Sequence, residues 1–344
     1  MPTAAERFAL RLASDAGKAI AVLLAGVGDR LGLFSALSKA PLDADSLAAR
    51  AGIHPRYARE WLYAMAAAGY VSGEKGRYSL PPDRAEVLAN EGGPLFMGGT
   101  LQMLLGMVGV LQPLRDAFRT GRGVPQEAYP QDTWEGMERD MAGLYEHKLV
   151  SEWLPRVPAV RALLEAGALV ADIGCGRGRA IFELARAFSR ARFVGYDAHA
   201  PNVAHAAERA VKLGLSERIR FEVRDASDGL PPMDLALTFD VVHDAARPLE
   251  LASAIRRALR PGGLWFALDV PAQEDPTDNN DPLTVVRWGF SVLYCMSVSL
   301  AEGGAGLGTF GLTESRMRAL CADAGFSAVR VERLSFHALY EVAP

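Results

Sequence analysis

One short stretch limits the folds open to this chain more than any other. An apolar run from Leu169 ends at Asp172, glycine then stands at every second position up to Gly178, and a helical pattern follows. This order predicts a buried strand, a tight turn where the backbone can approach a ligand, and a helix N-terminus. Arg179 stands where a dinucleotide-binding turn needs its third glycine, and no G-x-x-x-x-G-K-[ST] phosphate loop occurs. The turn therefore favours a ligand without phosphates.

Strand and helix patterns alternate from this turn to the C-terminus, which predicts a parallel sheet with helices on both faces. The predicted strands are 169–173, 192–197, 218–224, 234–242, 264–270, 328–334 and 336–342. Only a tight connection separates the last two, so we expect them to form an antiparallel pair at the sheet edge. The predicted fold class is α/β, a doubly wound, Rossmann-like sheet of seven strands.

Residues 1–90 have a different organisation, and we predict a winged-helix domain there. The first helix is predicted to end at 33–37, Asp43 to cap the second helix, and Pro55 to open the third. The expected buried face of the third helix carries Tyr57, Trp61 and Met65. The hairpin that follows is predicted to consist of strands at 69–71 and 77–80.

A winged helix invites a DNA-binding interpretation. The candidate recognition helix has Arg56 and Arg59, but Glu60, Trp61 and a run of alanines follow them. A helix that reads DNA needs several polar side chains, and a net charge of −4 argues against binding by bulk electrostatics. We therefore expect a dimerisation and lid domain without a nucleic-acid partner. A cofactor-sensing DNA-binding regulator is the competing functional class.

The segment 91–166 is predicted to be a helical connector and substrate cap, or lid, ahead of a catalytic domain over 167–344. Its many methionine and aromatic side chains suit the wall of an apolar pocket. The predicted substrate-pocket residues, two from this segment and two from the insertion after the fifth strand, are Tyr145, Trp153, Tyr294 and Met296.

The composition is that of an ordinary soluble protein. The chain has 344 residues, of which 50% are hydrophobic and 23% are charged, and it is long enough for two domains with cores. Three scattered cysteines favour a reducing compartment, the cytoplasm. The apolar runs at 19–28 and 101–111 are about half the length of a membrane span, so no membrane contact is expected. The acidic loop at 275–281 lacks calcium-loop spacing, and we predict no metal ion.

Acidic residues stand near the predicted C-terminal ends of the strands, where doubly wound sheets bind their ligands. Asp197 comes 25 positions after Asp172, at a place where a carboxylate can accept from both hydroxyls of a ribose. Asp225 follows the third strand and can reach the amino group of an adenine. Asp240 and Asp269 lie late in the next two strands. A set of acids in register with the glycine turn predicts a nucleoside site.

With these residues the chain resembles the class I S-adenosylmethionine-dependent methyltransferases, from about residue 170 onward. The motifs that carry the resemblance are Asp172-Ile-Gly-Cys-Gly-Arg-Gly178, Gly195-Tyr-Asp197, Arg224-Asp225, Leu259-Arg-Pro-Gly-Gly263 and Ala324-Gly-Phe326. The resemblance implies S-adenosyl-L-methionine as cofactor, with the second-strand acid on ribose and the third-strand acid on adenine. The predicted cofactor residues are Asp172, Gly174, Cys175, Gly176, Asp197, His199, Asp225, Ala226 and Asp240.

The winged helix ahead of this domain is similar to that of the plant-type small-molecule O-methyltransferases and their bacterial relatives. In that family the fourth strand begins with an acid and closes with a catalytic His-Asp pair, and Asp234 to His243-Asp244 has this spacing. The resemblance implies His243 as general base, which suits the near-neutral pKa of histidine, and Asp269 as the acid that orients it. A second orienting glutamate of the family falls at Gly311.

The predicted function is therefore in-line transfer of a methyl group to a small-molecule acceptor, at a hydroxyl, by a homodimer. One alternative keeps the enzyme but moves the methyl group to nitrogen or carbon, where His243 need not act as a base. The other is the DNA-binding regulator. The sequence does not specify the acceptor.

Overall fold

The computed structural model describes residues 1–344, which divide into two compact units. The first unit consists of Met1–Val108 and Pro130–Leu144, and the second consists of Gly109–Tyr129 and Tyr145–Pro344. The segment expected to form one connector is thus divided between them. The three-part division at residues 90 and 166 stays a prediction.

Glycines explain why residues 130–144 belong to the first unit. Helix Gly98–Val108 packs closely on helix Gln131–Leu144, and a Cβ atom at Gly99 would overlap the backbone of Asp140. A Cβ atom at Gly136 would likewise come within 2.5 Å of the backbone nitrogen of Met103. Backbones approach this closely only where side chains are missing, so the two helices form a single packed pair.

The first unit contains a small hairpin, with strand β1 at Ser72–Glu74 and strand β2 at Arg77–Ser79. Its helices are Ala4–Arg30, Leu33–Lys39, Ala44–Ala51, Pro55–Ala67, Pro82–Leu88, Gly98–Val108 and Gln131–Leu144. As predicted, Asp43 caps a helix by accepting from the Ser46 backbone N–H at 2.7 Å. The winged-helix order of helices and hairpin is confirmed.

Three details of the predicted winged helix are wrong. Residues 33–37 do not end the first helix, because Gly32 takes a left-handed φ of 69° and Leu33–Lys39 is a separate helix bent by 76°. Tyr57 is not on the buried face but is 76% exposed, whereas Trp61 donates its indole N–H to the Leu24 carbonyl. The first hairpin strand begins at Ser72 because the turn is formed by Lys75-Gly76, where both φ angles are positive.

The second unit is built on a seven-stranded sheet, which confirms the predicted fold class. In chain order its strands, numbered β3 to β9, are Leu169–Ile173, Arg192–Asp197, Ile219–Val223, Met233–Phe239, Leu259–Asp269, Ala328–Arg333 and Ala338–Ala343. Their spatial order is β5-β4-β3-β6-β7-β9-β8, in which the first five are parallel. Strands β8 and β9 form the expected antiparallel pair at one edge.

The central strands are buried on both faces, as is usual in parallel sheets covered by helices. In such sheets ligands bind at the C-terminal ends of the strands, and we call this end the ligand-binding edge. At the opposite edge, the Leu169 backbone N–H donates to Asp234 at 2.8 Å, which makes Asp234 a structural acid. Strand β6 ends at Phe239 rather than at residue 242 as predicted. The reason is that Asp240 has a left-handed φ of 55°, which a strand cannot accommodate.

Helices cover both faces of the sheet. The α-helices of the second unit are Leu111–Thr120, Pro158–Ala166, Arg179–Ala187, Ala200–Lys212, Pro248–Ala258, Thr284–Phe290, Met296–Ala301 and Glu314–Asp323. Short 3₁₀ turns occur at Gln126–Ala128, Leu154–Arg156, Ala226–Asp228 and Pro276–Asp278. Two further segments, Tyr145–Trp153 and Ser291–Cys295, have the wider π-helical turn.

No membrane span is expected from the sequence, but by length and composition the continuous helical stretch Thr284–Ala301 could cross a membrane. It is instead part of the packed second unit, where Arg287 is buried and binds Asp281 at 2.7 Å. The buried hydroxyl of Ser297 accepts from the Val124 backbone N–H at 2.9 Å. Buried polar groups with protein partners therefore hold part of this stretch within the second unit, although only 39% of it is buried.

Candidate active site

The glycine turn lies at the C-terminal end of β3. Gly174, Gly176 and Gly178 all have positive φ angles, between 51° and 79°. A Cβ atom at Gly176 would meet no atom within 4 Å, so glycine is needed there for the backbone conformation and the space beside it is open. The Cys175 backbone N–H donates to the Tyr196 carbonyl at 3.0 Å, which holds the turn against the end of β4.

Two predicted cofactor acids lie beside this turn. Asp172 is 2% exposed near the end of β3, and Asp197 is the last residue of β4. The Asp197 carboxylate accepts from the Gly176 backbone N–H at 2.8 Å and from the His199 backbone N–H at 2.9 Å. This acid therefore joins the glycine turn to the start of helix Ala200–Lys212, and its role toward a ribose stays a prediction.

The other two predicted cofactor acids have basic side chains as neighbours. Asp225 binds Arg247 at 2.6 Å and caps the 3₁₀ turn that begins at Ala226. Asp240 lies 3.5 Å from the His337 ring nitrogen Nε2, and its Oδ1 is buried without a hydrogen-bond partner. Both acids lie at the ligand-binding edge of the sheet, and their roles toward a cofactor stay predictions.

His243 and Asp269, the predicted catalytic pair, are in direct contact. The Nδ1 of His243 lies 2.6 Å from Oδ1 of Asp269, and the residues are 3% and 0% exposed. His243 is not at the end of β6 but four residues beyond it, in a turn. Its other ring nitrogen, Nε2, lies 3.1 Å from Oδ1 of Asp244. An imidazole held at Nδ1 by a buried carboxylate keeps Nε2 for another partner.

The four predicted pocket residues lie in or directly after the two π-helical segments. Tyr145 begins the first segment and packs on Phe239 at the end of β6, with ring centroids 5.5 Å apart. Trp153 ends it, 5.9 Å from the His337 ring. Tyr294 lies in the second segment and Met296 follows it. Single π-helical turns are frequent at functional sites.

Comparison with known families gives independent matches for both parts of the chain. Residues 171–265 match a methyltransferase domain, and residues 18–90 match an Rv2258c-like winged helix-turn-helix domain. The first match begins at the strand that carries Asp172 and includes the glycine turn, Asp197, Asp225 and His243. The chain is an S-adenosylmethionine-dependent methyltransferase with an N-terminal winged-helix domain.

Relatives of this methyltransferase match most of its length. Acetylserotonin O-methyltransferase of Mus musculus molossinus is 28% identical over 334 residues, which are 91% of this chain and 81% of the relative. The tetracenomycin 8-O-methyltransferase TcmO of Streptomyces glaucescens is 29% identical, over 71% of this chain and 74% of its own. The structure of human N-acetylserotonin methyltransferase with bound S-adenosylmethionine has a TM-score of 0.68, with 20% identity, over 100% of this chain and 99% of that one.

The charges at the methyltransferase site fit a cationic cofactor. Burial raises the pKa of Asp172 well above its usual value, and the Asp197 carboxylate raises it further. Burial also raises the pKa of Asp197, although the backbone N–H groups of His199 and Gly176 oppose that shift. Neighbouring buried carboxylates become easier to ionise when a cation binds between them, and S-adenosylmethionine carries a sulfonium and an ammonium group.

Several residues at the site were not found from the sequence. Cys295 and Thr309 lie beside the imidazole of His243 or its neighbours, and the Thr309 hydroxyl donates to the Cys295 thiol at 3.2 Å. Cys295 and Thr309 come from the long insertion after β7, which has no motif that links it to β6. His337 precedes β9 and reaches Asp240 only through the antiparallel edge pair.

Gly311, where the related family has a second orienting glutamate, cannot carry a side chain here. A Cβ atom at this position would overlap the carbonyl oxygen of Leu307. The carboxylate near Nε2 of His243 is instead that of Asp244, the next residue in the chain. The two acids next to the imidazole are therefore Asp269 and Asp244.

Proposed function

We propose that this enzyme transfers the methyl group of S-adenosylmethionine to a hydroxyl of a small-molecule acceptor, with His243 as the general base. The buried contact of 2.6 Å between His243 and Asp269 is the observation that carries the proposal. The relatives support the acceptor class, since their names describe O-methylation of acetylserotonin and of a tetracenomycin polyketide. Transfer to nitrogen or carbon would not need this pair.

In the proposed mechanism the protein aligns the acceptor, excludes water and removes a proton. Bound S-adenosylmethionine supplies an electrophilic methyl group on a sulfonium. In this proposal the apolar walls that orient the acceptor are formed by Tyr145, Trp153, Tyr294 and Met296. Nε2 of His243 accepts the proton of the acceptor hydroxyl, and Asp269 holds the ring and stabilises the imidazolium that forms. Alignment alone contributes about 7–11 kcal/mol in favourable cases.

The proposal predicts an acidic limb in the pH dependence of kcat/KM for the acceptor. Burial of the ring lowers the pKa of His243, but Asp269 and Asp244 outweigh this effect and raise the pKa well above its usual value near 6.5. A base must be unprotonated, so activity should be lost as the pH falls below that raised pKa. The Asp269→Asn variant removes one negative neighbour and should move the limb to lower pH, with a lower plateau rate.

Methyl transfer from labelled S-adenosylmethionine at a series of pH values measures this limb, and nuclear magnetic resonance of the product identifies the methylated atom. Asp278→Asn, an exchange in the exposed loop 275–281, is the matched control and should keep the wild-type profile. A limb that stays in place in Asp269→Asn, or a product methylated on nitrogen or carbon, would contradict the proposed base.

We also propose that the winged-helix unit forms a homodimer rather than a DNA-binding surface. The first 17 residues of helix Ala4–Arg30 are all exposed, and Phe8, Leu12 and Ile20 form an apolar stripe along them at 63%, 59% and 59% exposure. A second copy of this chain would cover such a stripe. On the candidate recognition helix, Arg56 and Arg59 are paired with Glu60 and Asp45.

Light scattering tests the dimer. Wild type should have twice the mass of one chain, and Leu12→Glu should shift it toward the monomer, because a charge cannot be buried in an apolar interface without a partner. Arg11→Glu, a neighbouring change at an exposed polar position, is the control and should keep the dimer. A monomeric wild type, or salt-dependent binding to DNA in a gel-shift assay, would contradict the proposal.

We further propose a cytoplasmic location. Cys175, Cys295 and Cys321 are free thiols, two of them buried, and free thiols persist in a reducing compartment. Recovery of the enzyme in a membrane or secreted fraction of its source cells would contradict this location.

A further inference from the structure

We propose that Cys295, His243 and Asp244 form a binding site for Zn²⁺, through which zinc reversibly inhibits the enzyme. The three donor atoms are the Cys295 thiol sulfur, Nε2 of His243 and a carboxylate oxygen of Asp244. They all lie within 4.8 Å of one another, around the ring nitrogen assigned above to proton removal. The inhibition rests on the proposed role of His243, whereas the metal binding does not.

The geometry of the donors is close to what zinc requires. Ligand atoms on a tetrahedral zinc ion are about 3.3–3.6 Å apart, given bond lengths near 2.0 Å to nitrogen and oxygen and 2.3 Å to sulfur. Nε2 of His243 and Oδ1 of Asp244 are already 3.1 Å apart. Because the donors are at most 4.8 Å apart, a movement of the sulfur by up to about 1.2 Å would bring it to a tetrahedral distance. Three protein ligands leave the fourth position open, as in catalytic zinc sites.

The surroundings of the three ligands also match those of a zinc site. The other ring N–H of a metal-bound histidine almost always donates a hydrogen bond to a carboxylate or carbonyl. In His243 this nitrogen is Nδ1, which lies 2.6 Å from Oδ1 of Asp269. Oδ1 of Asp244 is buried and has Nε2 of His243 as its neighbour at 3.1 Å, so a cation bound to both atoms would lie in a buried polar site. The Thr309 hydroxyl donates to the Cys295 sulfur at 3.2 Å, which would stabilise a thiolate.

Binding must release protons. Zinc forms its bonds to the thiolate and to the neutral imidazole, and the thiol proton and any imidazolium proton leave to solvent. Zinc affinity should therefore increase with pH.

The thiolate, imidazole and carboxylate donors favour zinc over magnesium and calcium. Asp240, Asp269 and Nδ1 of His243 form a second group of possible ligands, but Nδ1 is already bound to Asp269. A thiolate with an imidazole favours zinc and other soft ions, whereas magnesium and calcium prefer oxygen ligands alone. A metal on Nε2 would occupy the lone pair that accepts the proton of the acceptor, so inhibition should be strong with zinc and absent with magnesium.

Cobalt(II) is a spectroscopic probe for this site, because a thiolate bound to Co²⁺ gives an intense sulfur-to-metal charge-transfer band in the near ultraviolet. Titration of the full-length enzyme with Co²⁺ should produce the band at one ion per chain, and Zn²⁺ should remove it. Cys295→Ser should abolish the band and weaken zinc inhibition by more than about tenfold. Cys321→Ser, which changes a buried cysteine in the distant helix Glu314–Asp323, is the matched control and should keep the band.

The two readouts separate the metal site from the proposed mechanism. No charge-transfer band in the wild type, or a band that persists in Cys295→Ser, overturns the zinc site. A band that depends on Cys295, with methyl transfer unaffected by zinc, keeps the site and contradicts the role of His243 as base. If both the zinc site and the role of His243 are correct, a chelator should reverse the inhibition and Mg²⁺ at the same concentration should not inhibit.

Discussion

Replacing Asp197 with alanine is expected to lower the affinity for S-adenosylhomocysteine by at least about 100-fold. The carboxylate accepts from the backbone N–H groups of Gly176 and His199 at 2.8 and 2.9 Å, so its loss loosens the glycine turn and removes the acid predicted to bind the ribose hydroxyls. Hydrogen bonds to a charged group contribute about 1.5–3 kcal/mol each, and two of them correspond to about 100-fold or more. Titration calorimetry of the purified variant measures the change.

The variant should remain folded, because burial raises the pKa of Asp197. A group whose pKa is raised in the folded state contributes most to stability at low pH, and that contribution is lost as the pH rises through the raised pKa. At neutral pH the ionised carboxylate therefore weakens the ligand-free fold. Asp228→Ala, which removes an exposed acid bound to Arg247, is the control and should change the affinity less than about twofold. A near-normal affinity in Asp197→Ala would mean that the cofactor lies elsewhere.

Replacing His243 with alanine is expected to reduce turnover by a factor of about 10²–10⁴, the usual contribution of a positioned general base. The affinity for S-adenosylhomocysteine should stay within about twofold of the wild type, since the ring contacts Asp269 and Asp244 and not the glycine turn. Single-turnover methyl transfer and calorimetry on the same preparation measure the two quantities. A loss of cofactor affinity that parallels the loss of turnover would assign His243 to cofactor binding.

Alanine at position 243 leaves the buried Asp269 without its partner, which can destabilise the fold. His243→Asn is therefore the second variant, because its amide can still donate to Asp269 but is no base. It should fold and should be as inactive as His243→Ala. His54→Ala, which removes an exposed helix-capping histidine in the winged-helix unit, should keep full turnover. Full turnover in His243→Asn would favour methylation of nitrogen or carbon.

The parallel sheet and its site acids could be predicted because strand ends are visible in the sequence. The position of Asp197 follows from a buried run that stops at an acid, and parallel strands bring such ends to one edge. The contact between His243 and Asp269 follows from the same rule, since β6 and β7 are neighbours. The break between the first two helices was missed, because Gly32 stands inside an apolar pattern that continues on both sides of it.

Side chains supplied by the insertion after β7 could not be predicted in the same way. Cys295 reaches the site only because the chain returns over the sheet and is held there by contacts such as that of Ser297 with Val124. This contact joins residues 173 positions apart, and no periodicity in the sequence predicts it. The sequence pairs His243 with Asp244, but it did not predict the contact of Asp244 with Nε2, because a strand read as far as residue 242 leaves no turn in which Asp244 could face the ring.

The wide turns at Tyr145–Trp153 and Ser291–Cys295 have a consequence for how acceptor preference could change over evolution. Each hydrogen bond of a π turn spans one residue more than that of an α-helical turn. One residue corresponds to about 100° of rotation about the helix axis. Deleting a single residue from either segment would therefore turn its aromatic side chains to another face. Single-residue insertions and deletions there could exchange acceptors while β3, β4 and the glycine turn, which lie outside both segments, keep binding the same cofactor.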